Sequence, residues 1–155
     1  MRVQDLMSSP TITCHINETL DIAAQKMWDE DIGALPIVDD GGQLIGMITD
    51  RDVCMGAYTQ GRSLDVVPVR SAMARDVIWA HPEQSVGELE QVMSKHQVRR
   101  IPVIDGAGRP IGIVSLSDLA RESVQPKTQM KHGPSKIAHT VAAICRPRIS
   151  KQKAA

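Results

Sequence analysis

Apolar and polar positions along the chain follow one pattern twice. A short extended piece at 11–14 leads to Leu20, Ala23, Ala24 and Met27, whose three- and four-residue spacing predicts a helix with one buried face. The apolar run ALPIV at 34–38 predicts a strand, and the polar turn DDGGQ after it supplies glycines for the positive φ of a hairpin. A second strand is predicted at 44–48, and Thr49 opens another helix. The order then returns with an extended piece at 77–80 and a helix carrying Leu89, Val92 and Met93, opened by Ser85 and Glu88 at the spacing of a capping box. A strand at 100–104, the turn DGAGR, a strand at 110–114 and a helix after Ser115 complete it.

A shift of 66 residues lays 3–53 on 69–119 without a gap. Val3/Val69, Met7/Met73, His15/His81, Pro36/Pro102, Gly46/Gly112 and Asp52/Asp118 then coincide, among others. This constant register marks a duplicated module. One copy has too little apolar surface to stand alone. The expected fold is α/β of the α+β type, with two tandem repeats packed through their sheets about a pseudo-two-fold axis, plus a C-terminal helix. The repeats are expected at 1–57 and 69–125, each burying its own apolar faces. A linker is expected at 58–68, and a basic extension over 126–155 carries a short helix near 134–146. Ile137, Val141 and Ile144/Cys145 share one face of that helix, and a second subunit is expected to cover it, giving a homodimer.

Composition narrows the function classes. The 155 residues include no Phe, two Trp and one Tyr, so the core is aliphatic with Met as filler. The exposed rings of a platform for single-stranded nucleic acid are missing. No run of 18 apolar residues predicts a membrane span, and the start MRVQDLMSSP lacks the apolar centre of a secretory signal, so a cytoplasmic protein is expected. Net charge is zero but uneven: residues 1–122 hold 11 Lys and Arg against 18 Asp and Glu, and residues 123–155 hold seven Lys and Arg with no acid. That basic segment folds back on the acidic body or serves as a tail for an acidic partner. Spread charges more often only solvate, so a nucleic-acid partner is not expected.

The candidate chemistry lies at two matched positions. Thr49 and Ser115 stand where a strand meets a helix, with Asp52 and Asp118 three residues later. A carboxylate can accept both hydroxyls of a ribose, and a helix start suits phosphate. The same spacing also makes a helix cap that needs no ligand. The copies differ ahead of the proline, where Arg99 and Arg100 replace Gly33 and Ala34. Guanidinium groups fork onto phosphate oxygens, so the second copy has the stronger anion grip, unless these arginines pair with Glu88 or Glu90. Asp50 adds a negative charge that disfavours a polyphosphate at the first position. His15 and His81 are expected to be structural. No recognised spacing joins Cys14 and His15 to Cys145, His132 or His139 as a zinc site, so no metal is expected. Cys54, beside Val53, is expected to be an inert buried thiol. No nucleophile elbow, phosphate-binding glycine loop or HExxH helix is present, and no catalysis is expected.

The segments ALPIVDDGGQLIGMITDRD (34–52) and RIPVIDGAGRPIGIVSLSD (100–118) resemble the CBS domain, in both copies. The resemblance implies a CBS pair: a regulatory module that binds an adenosine-type ligand, such as AMP, ADP, ATP or another adenosyl compound, in the cleft between repeats. It requires no obligatory cofactor and implies a regulated partner protein. It adds Ile12 and Ile78 to Thr49, Asp52, Arg99, Arg100, Ser115 and Asp118 as ligand contacts. DIGALPI, TDRD, HQVRRIPVI and the late AICRP look more narrowly like the stand-alone hypoxic-response CBS proteins. That likeness, with its late Ala-Ile-Cys, suggests that Cys14 and Cys145 approach each other as a redox pair; two separate thiols are the alternative. Two other functions stay open, a structural stress-response dimer with vestigial sites and a nucleic-acid accessory protein using the basic tail.

Overall fold

The computed structural model describes residues 1–123, 140, 141, 143 and 144. In the first repeat, β1 (Cys14–His15) is followed by α1 (Leu20–Asp29), β2 (Ala34–Val38), β3 (Leu44–Thr49) and α2 (Asp50–Gln60). In the second come α3 (Val86–His96), β4 (Arg100–Ile104), β5 (Pro110–Ser115) and α4 (Leu116–Ser123). β1 lies parallel to β2, and β2 lies antiparallel to β3 with Leu35 opposite Ile48. β4 and β5 repeat that hairpin with Ile101 opposite Val114, and Ala80 bridges to Val103 where the first repeat has β1. Gly42 and Gly108 take φ of 76° and 78° in the two turns, the left-handed conformation that glycine adopts at least cost.

The two hydrophobic cores are not closed by their own repeats. The first gathers Leu20, Met27, Leu35, Ile37 and Ile48, and is completed by Val67, Val69 and Met73. The second gathers Leu89, Met93, Ile101, Val103 and Val114, and is completed by Val3. Each repeat therefore lends its leading segment to the other. The backbone bonds repeat with the same 66-residue shift. Val3 N–H donates to Gln84 O and Val69 N–H to Glu18 O; Ser8 pairs with Ile113, and Ala74 with Met47, through two bonds each. This corrects the expectation that each repeat buries its own surface. Within the stretch 58–68 between the repeats, α2 runs on to Gln60 and Val67 is fully buried.

The exchange explains a glycine in each repeat. A Cβ on Gly46 would lie 2.8 Å from Met73 Sδ and 3.1 Å from the Ala74 carbonyl oxygen. A Cβ on Gly112 would lie 2.5 Å from Met7 Sδ and 3.1 Å from the Ser8 carbonyl oxygen. Only glycine lets the borrowed segment come this close. The hairpin turns also meet, through Leu44 N–H to Gly108 O at 2.9 Å. The reciprocal bond is missing because Pro110 stands at the matching position and has no N–H.

Two expectations about buried faces change. Ile144 is buried within the second core of its own chain, so this part of the C-terminal stretch needs no second subunit to cover it. Cys54 is exposed on α2, because the helix turns Val53 and Gly56 inward instead. Cys14 is fully buried, and burial followed by the adjacent Glu18 carboxylate pushes its thiol up to about 12. Cys145, and with it the suggested Cys14–Cys145 pair, lies outside the described residues, as do Ile137, His132 and His139.

Two measurements check this arrangement. Gly112→Ala should lower unfolding free energy by about 1–3 kcal/mol in urea, as overpacking against Met7 and Ser8 requires; an unchanged midpoint contradicts the close approach. In a Cys145→Ser background, maleimide at pH 8 should label Cys54 and leave Cys14 unreacted, and raising the pH to roughly 10 should not expose Cys14, because its thiolate forms only at higher pH. Equal labelling of both thiols contradicts the burial.

Candidate functional site

The two matched strand-to-helix junctions form full capping boxes. Thr49 Oγ1 accepts from the Asp52 N–H at 3.2 Å and donates to Asp52 Oδ2 at 2.7 Å, and that carboxylate oxygen accepts from the Thr49 N–H at 2.8 Å. Ser115 and Asp118 repeat the pattern at 3.3, 2.6 and 2.7 Å. The cap was one reading of this spacing, and it holds in both repeats. It uses one carboxylate oxygen of each aspartate and leaves the other to be accounted for.

There the repeats part. Asp118 is buried, and its Oδ1 is taken by the guanidinium of Arg121, one turn along α4. In the first repeat the position of Arg121 is Met55, which carries no charge. Asp52 is half-buried, and its Oδ1 has no hydrogen bond among the described residues. Arg121 was missed in the sequence, although its i, i+3 spacing from Asp118 on a helix was there to read.

The arginines before the proline are exposed, and among the described residues neither makes an ion pair within 4.0 Å; Glu88 is instead engaged by Ser85. Arg100 leaves its own repeat and reaches the first. A methyl group on Gly33 would lie 3.1 Å from its Nη2 and 3.1 Å from Asp50 Oδ2. Gly33 is thus the gap through which a guanidinium from β4 comes beside the start of α2. Asp50 is exposed there, its Oδ1 accepting from the Arg51 N–H. Ile12 and Ile78 are half-buried, packed against the first and second core respectively. The structure brings Thr49, Asp52, Asp50 and Arg100 to one end of the first repeat. Ser115 and Asp118 form the matching point of the second.

The remaining polar residues serve local structure. His15 Nε2 lies 3.0 Å from Asp40 Oδ1 and its Nδ1 accepts from Asn17 N–H, which ties β1 to the first hairpin turn. His81 packs edge-on against Trp79. Lys26 binds Glu18 and the Thr13 carbonyl, and Glu18 is held below the usual carboxylate range: burial opposes this, but hydrogen bonds from Cys14, Lys26 and the His15 N–H outweigh it. Among the described residues no group of three His, Cys, Asp or Glu could hold a metal ion, and no helix is long and apolar enough to cross a membrane.

Comparison with known proteins places this geometry. The CBS domain family matches residues 3–56 and again 69–125. The CBS domain-containing protein YhcV of Bacillus subtilis is 37% identical over 118 residues, spanning 76% of this chain and 82% of that protein. Hypoxic response protein 1 of Mycobacterium tuberculosis is 36% identical over 145 residues, spanning 93% and 94%. The crystal structure of the CBS domain pair of protein MJ0100, in complex with 5′-methylthioadenosine and S-adenosyl-L-methionine, superposes with a TM-score of 0.71 at 35% identity, covering 79% of this chain and 94% of that one. A crystal structure of hypoxic response protein I with two coordinated zinc ions gives 0.71 at 36% identity, covering 78% and 98%. With the duplicated hairpins, the exchanged leading segments and both matched junctions on one chain, this protein belongs to the CBS-domain family and carries its domain twice.

Proposed function

We propose that the chain is a non-catalytic regulatory module that senses an adenosine-type ligand between its repeats, chiefly at the Thr49–Asp52 junction. The observation that carries this reading is the asymmetry there. Asp52 keeps one carboxylate oxygen for ribose hydroxyls, and Arg100 reaches across from the other repeat to meet an anion. At the second junction Arg121 already occupies the equivalent oxygen of Asp118. Asp50 beside Arg100 limits the ligand to one phosphate, or to an adenosyl compound without any. The adenosyl ligands bound by the CBS pair of protein MJ0100 support the ligand class. Because Arg100 and Asp52 come from different repeats, a ligand gripped by both favours the arrangement of this junction in which both side chains reach it. Regulation then follows from that differential affinity, read by a partner protein.

A thermal-shift series with AMP, ADP, ATP, NAD and S-adenosylmethionine tests the reading most directly. AMP or an adenosyl compound should raise the melting temperature, and ATP should raise it less. No shift with any of them favours a structural stress-response protein with vestigial sites. Asp52→Asn should weaken the ligand by about 1.5–3 kcal/mol, the scale of hydrogen bonds to a charged group, while Asp118→Asn costs much less. Equal losses in the two variants contradict the assignment to the first junction. In wild type AMP should bind more tightly than adenosine, by roughly tenfold, and Arg100→Ala should remove that gap. Equal affinities in wild type exclude a phosphate grip by Arg100.

A further inference from the structure

Two opposite charges face each other at the first junction without closing. Arg100 Nη2 and Asp50 Oδ2 each lie 3.1 Å from the point that a Cβ on Gly33 would occupy, and the next nearest atom there is the Asp50 carboxyl carbon. The two groups nevertheless make no ion pair within 4.0 Å, and both residues are exposed. Backbone bonds hold them in these places. The Asp50 N–H donates to Gly33 O at 3.3 Å, and Ala34 pairs with Thr49, so the gap lies beside the cap residue of the junction. Asp50 Oδ1 accepts from the Arg51 N–H at 2.7 Å, while Oδ2 is the oxygen at the gap.

A guanidinium and a carboxylate set apart in this way are both satisfied by a group that carries one charge of each sign a short distance apart. An α-amino acid is such a group. Its ammonium donates to a carboxylate such as Asp50, and its own carboxylate accepts from a guanidinium such as Arg100. A phosphate meets Arg100 but sets further negative charge against Asp50. An uncharged substituent meets neither. The second junction offers no such pair, since Leu116 stands at the position of Asp50 and Ala34 at that of Arg100.

We propose that the ligand of the first junction is an adenosyl compound whose 5′ substituent ends in an α-amino acid, and that Asp50 is the residue that selects it. The inference rests on the reading that an adenosine-type ligand sits at Thr49–Asp52, and it names the chemistry of that ligand's other end. Asp52 takes the ribose hydroxyls, Arg100 the amino-acid carboxylate and Asp50 the ammonium. A nucleoside monophosphate is then a weaker ligand, held at this end by Arg100 alone.

Isothermal titration of the full chain with four probes tests this. S-adenosylhomocysteine carries the whole amino acid, and decarboxylated S-adenosylmethionine keeps the ammonium without the carboxylate. 5′-Methylthioadenosine has neither group, and AMP has only an anion. In wild type S-adenosylhomocysteine should bind about tenfold or more tightly than 5′-methylthioadenosine and AMP, as charge-assisted hydrogen bonds require. Asp50→Asn should cut its advantage over 5′-methylthioadenosine by about tenfold and tighten AMP. Arg100→Ala should weaken S-adenosylhomocysteine and AMP but not decarboxylated S-adenosylmethionine. Binding of 5′-methylthioadenosine or AMP as tight as that of S-adenosylhomocysteine overturns the proposal and leaves the adenosyl site standing. Equal weakening of all four probes in Asp50→Asn also overturns it, because Asp50 would then support the helix start and not the ligand. If none of the four binds, or if Asp52→Asn leaves their affinities unchanged, the reading of the junction fails and the proposal falls with it.

Discussion

Everything in this molecule depends on the exchange of leading segments. Val3 and Val69 are both fully buried, each in the core of the repeat to which it does not belong. Neither hairpin with its helices can close its apolar face without the other. The interface between repeats is thereby made of core packing and backbone pairing, which fix position far more firmly than a surface contact between two finished domains would. Gly46 and Gly112 are the sequence's concession to this arrangement, since a side chain at either would collide with the incoming segment.

A scaffold fixed in this way can hold side chains from two repeats in one place. Arg100 comes beside Asp50 because β4 is locked in its relation to the first repeat, and because Gly33 leaves room for the guanidinium. The duplication supplies two equivalent capping boxes, and single substitutions then divide their roles. Arg121 in place of Met55 closes off one carboxylate, while Asp50 in place of Leu116 puts a charge at the other junction. The same logic separates the outer faces of the repeats: Ile144 joins the second core, whereas Trp28 stays exposed beside the first. Symmetry at the level of backbone coexists with two chemically different halves.

Much of this was legible in the residues. The central strands fall where the apolar runs placed them, and the Ser85–Glu88 box forms as its spacing requires. The duplication, together with the G-h-h-[TS]-x-x-D segments, was enough to point to the family. The exchange was not legible. The duplication matches Val3 with Val69 but does not tell in which of two equivalent cores either is buried, because a repeat that closes on itself and one that closes on its neighbour share one pattern. Ile144 misled for a related reason: its burial was assigned to a second subunit, when the second core had room for that side chain. Cys54 follows Val53 in sequence but sits about 100° around the helix, which is enough to carry it to solvent. Arg121 stood at a readable i, i+3 spacing from Asp118, but the reach of Arg100 depends on tertiary placement that no spacing along the chain could give.

If the repeats are one folding unit, native-state hydrogen exchange reads it directly. The Val3 and Ser8 amides report the second repeat's hold on the first segment, and the Val69 and Ala74 amides report the first repeat's hold on the second. All four, together with the central amides of both sheets, should exchange through a single global opening and share one free energy within about 0.5 kcal/mol. Leu89→Ala, placed only in the second core, should lower protection of the first repeat by the same amount as that of the second. A first repeat that keeps its protection while the second loses it would contradict the account, because the repeats would then be two domains in contact rather than one core shared between them.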